Sequence, residues 1–323
     1  MSRRAVLTLA GNRWVSRFVN RYGMRLGASR FVAGETLGQA IETVKSLNRD
    51  GLLVTLDHLG ESVTTREEAL EATQSAIDIF DAIAESGVDS NVSVKLTQLG
   101  LDIDESFCLE NMERIALKAK ESDNFVRIDM EDSPRVKPTI DIFKTLLEKV
   151  GKEHIGLVIQ SYLYRSESDV KDLGELGVNL RIVKGAYKEP REVAFPDKRD
   201  VDENYKRLVA MHLKNGCYTA IATHDEGIIE WTKSFVKENR IPDDLYEFQM
   251  LYGVRGGLQR ELAREGYKVR VYTPYGKDWY PYFTRRIAER PANALFILKN
   301  IFTLLMNYRI QDVLKFTGYR LSG

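Results

Sequence analysis

Four residues late in the chain have the types and spacing for joint chemistry. Tyr282, Arg285, Arg286 and Glu289 lie in the run from Val271 to Glu289. In a helix read from Trp279 onward they fall at i, i+3, i+4 and i+7, along one face. Such a face is aromatic, doubly cationic and acidic, where a packing face would be apolar. Two adjacent guanidinium forks can grip a carboxylate or phosphate bidentately. An isolated RRxxE run more often belongs to a solvated surface helix with one Arg–Glu pair, so the rest of the chain decides its use.

The elements needed to position that face recur from residue 52 onward. Short β-rich runs cover Leu52–Leu56, Val92–Leu96, Phe125–Asp129, Ile155–Gln160, Leu180–Lys184, Tyr218–Thr223, Leu245–Met250 and Lys268–Tyr272. Amphipathic helices are expected between them. The first follows the cap at Thr64-Thr65-Arg66-Glu67; the others cover about 106–121, 138–149, 167–176, 201–215, 226–239, 255–265 and 279–289. Eight β-then-α units in about 240 residues predict an α/β fold of the (β/α)8 TIM-barrel type, with extra N-terminal and C-terminal helices. An open doubly wound sheet would usually carry a glycine-rich loop after its first strand. The residues there, Leu56-Asp57-His58-Leu59-Gly60-Glu61, are no GxGxxG.

Strand parity then collects the polar residues. Val92, Val94 and Leu96 oppose Ser93 and Lys95; Val126 and Ile128 oppose Arg127 and Asp129; Leu180 and Ile182 oppose Arg181 and Val183; Val269 and Val271 oppose Arg270 and Tyr272. In a barrel the apolar face meets the helices and the other points inward. Inward charges near the C-terminal strand ends are costly unless they pair or hold a ligand, and those ends are where such barrels place their sites. The mouth is cation-rich: Lys95, Arg181, Lys184, Arg285 and Arg286, with Glu61, Asp129 and Glu289 to orient them. An anionic substrate, an anionic cofactor, or both are implied. No Ser-His-Asp or Cys-His set and no Mg²⁺-type carboxylate cluster is present, so an organic cofactor is expected to carry the chemistry.

Composition excludes several classes. The 323 residues carry 47 basic and 47 acidic side chains, so no global field recruits nucleic acid. The two cysteines, Cys108 and Cys217, are far apart, which fits a reducing compartment and a cytoplasmic protein. The four histidines form no HxxxH or HExxH, so no metal site is expected. No run approaches the ~20 apolar residues of a membrane span. Residues 1–34 hold seven arginines and no acid, with Trp14, Phe18 and Tyr22 every fourth residue. That basic amphipathic segment, set apart from a barrel domain at 35–323, either packs on the barrel or touches anionic lipid at the inner face of the cell membrane.

One set of runs is familiar as a whole. Val94-Lys95-Leu96, Arg127-Ile128-Asp129-Met130-Glu131, Arg181-Ile182-Val183-Lys184-Gly185-Ala186-Tyr187, Ala222-Thr223-His224, Phe248-Gln249-Met250-Leu251-Tyr252-Gly253 and the Tyr282/Arg285-Arg286/Glu289 helix occur in order, each at a strand end. Together they resemble proline dehydrogenase of the monofunctional bacterial form, from about Gly34 to Asn293. The resemblance implies a (β/α)8 barrel that holds FAD non-covalently and oxidises L-proline to Δ1-pyrroline-5-carboxylate. It further implies a quinone or other electron acceptor. On that resemblance Arg285, Arg286 and Lys95 bind the proline carboxylate, and Tyr272, Tyr282 and Leu251 wall the ring. Asp129 and Arg181 stand beside flavin and substrate. Met130, Gln160, Lys184, Gly185, Ala186, Thr223 and His224 hold FAD. Glu61 and Glu289 pair with the arginines, Glu61 as a gate. One departure is that Lys188-Glu189-Pro190 follows the Lys-Gly-Ala-Tyr run, where many members have an aromatic. Two other functions remain open to the residues: a Schiff-base aldolase using Lys95 or Lys184, and a non-catalytic flavin- or lipid-surface-binding protein.

Overall fold

Short β-branched runs alternating with amphipathic helices build a closed barrel in the computed structural model, which describes residues 24, 27–60 and 63–289. The strands are β1 (Leu53–His58), β2 (Ser90–Lys95), β3 (Val126–Asp129), β4 (Ile155–Gln160), β5 (Asn179–Val183), β6 (Thr219–Ala222), β7 (Tyr246–Leu251) and β8 (Val269–Tyr275). They pair in sequence order, all parallel, and β8 closes on β1. The helices are α1 (Leu37–Arg49), α2 (Arg66–Ser86), α3 (Glu105–Glu121), α4 (Val136–Val150), α5 (Ser166–Glu175), α6 (Lys198–Lys214), α7 (Glu226–Glu238), α8 (Gly256–Arg264) and α9 (Trp279–Glu289). The expected (β/α)8 barrel is therefore present. Glu61 and most of the basic N-terminal segment lie outside the described residues. So does everything from residue 290 on, and Glu289 ends α9 with its side chain outside the described set.

Local chemistry explains the punctuation. Thr65 caps α2 by accepting from Glu68 N, while the Glu68 side chain returns to the cap backbone; Thr36 and Gln39 do the same at α1. The carboxylate of Asp104 caps α3, and that of Asp225 caps α7. The outward faces of the strands, among them Leu56, Val94, Ile128, Leu157, Ile182 and Phe248, are buried under the helices. Each such side chain contributes roughly 1.5–3 kcal/mol by leaving water.

The structure extends two expected strands. β1 runs on through Asp57 and His58, because Asp57 is 1% exposed and points into the barrel. β8 runs on through Pro274 to Tyr275. Pro274 has no N–H to give, but it stays in register with Asp57 and its carbonyl accepts from Ala33 N at 2.8 Å. Helix α1 stands ahead of the first strand as an extra N-terminal helix, over a span, Leu37–Arg49, that the sequence reading did not delimit. A second, smaller core lies apart from the first: Ala28, Phe31 and Val32 pack with Leu59, Trp279, Tyr282 and Phe283.

Candidate active site

Inward-facing side chains of six neighbouring or facing strands meet below the barrel mouth. From β2, Lys95 Nζ donates to both carboxylate oxygens of Asp57 on β1, at 3.2 Å each, and to Asp129 Oδ2 on β3 at 3.3 Å. It also donates to Tyr272 Oη on β8 at 3.1 Å, and that hydroxyl donates on to Asp129 Oδ2 at 2.7 Å. Arg181 on β5 donates from Nη1 to Asp129 Oδ1 at 2.6 Å and from Nη2 to Ser93 Oγ at 3.1 Å; its Nε donates to Gln249 Oε1 on β7. Two cations thus face two carboxylates, all within a tenth of full burial.

The electrostatics follow from that pairing. Burial alone would push the Asp129 carboxyl up, but the charges of Lys95 and Arg181 and the Tyr272 hydrogen bond outweigh it and hold the group below its ordinary range. Asp129 is therefore an ionised, weakly basic anchor at neutral pH. Tyr272 moves the other way: burial, then the Asp129 charge, keep its phenol protonated well above its ordinary value. It is a fixed donor. Arg181 and Lys95 also lie 5.3 and 5.8 Å from the Tyr272 ring centroid, on an aromatic surface that suits cations.

A shelf rises beside this network at the ends of β3 to β6. Met130, Gln160 and Thr223 are buried there, with Gln160 Nε2 donating to Glu131 O at 2.7 Å. Lys184 is half-buried and bridges Asp225 Oδ2 at 3.0 Å and Asp202 Oδ1 at 2.5 Å. His224 Nε2 accepts from Leu251 N at 2.9 Å, which fixes the bare nitrogen of the ring. Gly185 has φ +111° and sits so close to Tyr162 that a Cβ would fall 2.5 Å from its ring. Only glycine fits, and Ala186 follows, exposed.

Tyr282, Arg285 and Arg286 form a separate group on α9. Tyr282 is buried, the arginines are half-buried, and Arg286 Cζ lies 5.2 Å from the Tyr282 ring centroid. Tyr282 and Arg285 border a cleft of about 620 Å³ that also touches His58, Gln98 and Asp278. The structure thus brings Lys95, Asp129, Arg181 and Tyr272 into one network and sets the cofactor candidates along one shelf.

Three members of the network were missed from the sequence: Asp57, Ser93 and Gln249. Parity would have found Asp57, two residues beyond Thr55, had the first strand been read to its true end. Glu131 was quoted only as part of a motif; its carboxylate accepts from Thr97 N at 3.0 Å and Thr97 Oγ1 at 2.6 Å, tying β3 to the turn after β2. Arg127 shares the inward parity but lies one layer lower, with Asn179.

A family model described as proline dehydrogenase matches residues 40–299. The chain belongs to the proline dehydrogenase family. It is 50% identical over 301 residues to proline dehydrogenase 1 of Bacillus subtilis subsp. natto, covering 93% of this chain and 99% of the relative. It is 49% identical to proline dehydrogenase of Deinococcus radiodurans, covering 93% of this chain and 97% of that one. Among solved structures it is similar to proline utilization A of Bdellovibrio bacteriovorus, with a TM-score of 0.78 and 25% identity over 85% of this chain and 33% of that one. This chain therefore spans about a third of that larger structure. As a family member it is an oxidoreductase acting on proline. Among the described residues no helix is long and apolar enough to cross a membrane, and no group of three or more His, Cys, Asp or Glu could hold a metal.

Proposed function

We propose that this chain oxidises L-proline to Δ1-pyrroline-5-carboxylate on a non-covalently held FAD and delivers the electrons to a quinone or a similar acceptor. The observation that carries this reading is the Asp57–Lys95–Asp129–Arg181–Tyr272 network, with Met130, Gln160, Lys184 and Thr223 standing at the same ends of β3 to β6. A flavin nucleotide needs a dry end for its ring and a wetter, cationic end for its pyrophosphate. Met130, Gln160 and Thr223 offer the first; Lys184 and His224, half-exposed on neighbouring strand ends, offer the second. The residues present fit that group. Lys184 and His224 would hold it with Met130, Gln160, Thr223 and the close backbone at Gly185 and Ala186.

Flavin supplies the two-electron acceptor that no side chain here can provide. The chain's own residues do the rest. Arg285 and Arg286, with Lys95, bind the carboxylate of a small zwitterion that offers one strong handle. Tyr272, Tyr282 and Leu251 wall the ring, so that the reacting carbon has one orientation. Arg181, fixed by Asp129, Ser93 and Gln249, places positive charge where reduction adds negative charge. Asp129 holds Arg181, Lys95 and the Tyr272 hydroxyl in one arrangement; its lowered proton affinity suits an anchor rather than a proton acceptor. The expected pairing of Glu61 and Glu289 with the arginines falls outside the described residues.

The test is anaerobic titration of the yellow, flavin-loaded protein with L-proline. The flavin band should bleach with one equivalent per site and return on adding a soluble quinone. An unbleached band, or borohydride trapping of a carbonyl compound on Lys95 or Lys184, would exclude this reading in favour of a non-redox one.

A further inference from the structure

Helix α9 takes its position from the chain ahead of α1. Its buried face, Trp279, Tyr282 and Phe283, packs in the smaller core against Ala28, Phe31 and Val32 and against Leu59. The Phe283 ring lies 5.5 Å from Trp279, edge-on, and 6.3 Å from Phe31. Residues 27–36 therefore act as a strap under the arginine helix.

The strap is itself pinned to the barrel. Ala33 N donates to Pro274 O at 2.8 Å, and Gly276 N donates to Gly34 O at 3.0 Å. On the other side Gly253, with φ +73°, lies so near that a Cβ would fall 1.7 Å from Arg30 O. No other residue type fits that approach.

A side-chain hydrogen bond joins strap and helix. Trp279 Nε1 donates to Glu35 Oε1 at 2.9 Å. Trp279 is 1% exposed, and a buried indole N–H that loses its acceptor is left unsatisfied. Trp279 opens α9 and stands at i relative to Tyr282 (i+3), Phe283 (i+4) and Arg286 (i+7), so its height and rotation pass along one face to the arginine.

We propose that Glu35 is a positioning residue for proline oxidation. Its carboxylate fixes the Trp279 indole, and through it the rotation and height at which α9 presents Arg285 and Arg286. The inference rests on the reading of those two arginines as the carboxylate clamp. It assigns Glu35 no contact with substrate or flavin.

The test is steady-state kinetics on L-proline with flavin-loaded Glu35→Ala, Glu35→Gln, Trp279→Phe, the Glu35→Ala/Trp279→Phe pair, and Arg286→Met as control. Loss of this part-buried hydrogen bond to the exposed Glu35 corresponds to a rise in KM of up to about tenfold. Glu35→Ala and Trp279→Phe should each show that rise, with kcat within about twofold and flavin content unchanged. Glu35→Gln keeps an acceptor oxygen and should stay near the parent. The double variant should be no worse than either single one. Wild-type KM in Glu35→Ala, or additive effects in the double variant, overturns the proposal. If Arg286→Met raises KM while Glu35→Ala does not, the clamp reading stands and the Glu35 role falls. An unchanged KM in Arg286→Met removes both.

Discussion

The barrel holds two buried charge networks, one above the other, and their difference separates site from scaffold. The upper one, Asp57, Lys95, Asp129, Arg181 and Tyr272, lies at the C-terminal strand ends and balances two cations with two carboxylates. The lower one lies near the N-terminal strand ends. There Arg270 Nε donates to Glu247 at 2.9 and 3.1 Å, Tyr218 Oη donates to Glu247 at 3.0 Å, and Arg270 Nη1 donates to Val54 O at 2.8 Å. Beside them Arg127 spends its fork on carbonyls: Nη1 donates to Asn179 O at 2.9 Å and Leu157 O at 3.2 Å, and Nη2 to Asn179 Oδ1 at 2.7 Å. Burial, and then the charge of Arg181, push the Arg127 guanidinium down to about 9. Gly156 makes room for it, since a Cβ there would lie 2.7 Å from Arg127 Nη1. Backbone carbonyls of Val54, Leu157 and Asn179 help anchor the lower network. The upper network bonds almost wholly side chain to side chain, and such partners can be shared with a ligand. Gln249 joins the two, accepting from Arg181 Nε and donating to Glu247 Oε1.

If the lower network is scaffold, removing its only carboxylate should cost stability and spare chemistry. Glu247→Ala leaves Arg270 and Arg127 buried without an anion, a loss on the order of 3–5 kcal/mol. Denaturant unfolding should show it, while KM for proline in the folded fraction stays near the parent. The pH dependence sharpens the point. Burial pushes the Glu247 carboxyl up, but Arg270 and the hydrogen bonds outweigh it, so its folded pKa lies below the unfolded one. Its contribution is therefore present above the unfolded value of about 4.3 and is lost as pH falls through the folded value. Glu247→Ala should lack that acid-side loss.

The upper network should answer in the opposite way. Asp129→Ala removes the anchor shared by Lys95, Arg181 and the Tyr272 hydroxyl. Turnover should fall about 10- to 100-fold, as for loss of one preorganising charge. The unfolding midpoint should move less than in Glu247→Ala, because Asp57 still faces Lys95 in the upper network when Asp129 is gone. Turnover kept near the parent with a collapse in stability would make Asp129 scaffold and erase the contrast between the networks.

Much of this was legible in the sequence because period-2 alternation is a local signal. Val94/Lys95, Ile128/Asp129 and Val271/Tyr272 alternate so strictly that inward residues could be named strand by strand. Parity gives a face but not a height. It could not separate Arg127 from Asp129, two residues apart on β3, although one serves the lower network and the other the upper. It also failed at strand ends. Asp57 sits where β1 shades into a polar segment, and Pro274 reads as a break although a barrel strand tolerates it once another segment uses its carbonyl. The strap ahead of α1 was missed because its partner, α9, lies about 240 residues away. No local pattern shows that the Trp279 N–H finds Glu35.

The central claim is that the double-arginine face of α9 binds the substrate's carboxylate while the shelf at β3 to β6 binds the cofactor. Arg286→Met tests it most directly, with L-proline and FAD dissociation constants measured on the same preparation. Methionine keeps much of the apolar stem and removes the charged fork. The account predicts that proline affinity falls about 100-fold, as for loss of a charge-assisted pair, with FAD affinity within about twofold. Equal loss of both, or proline affinity unchanged, would contradict it.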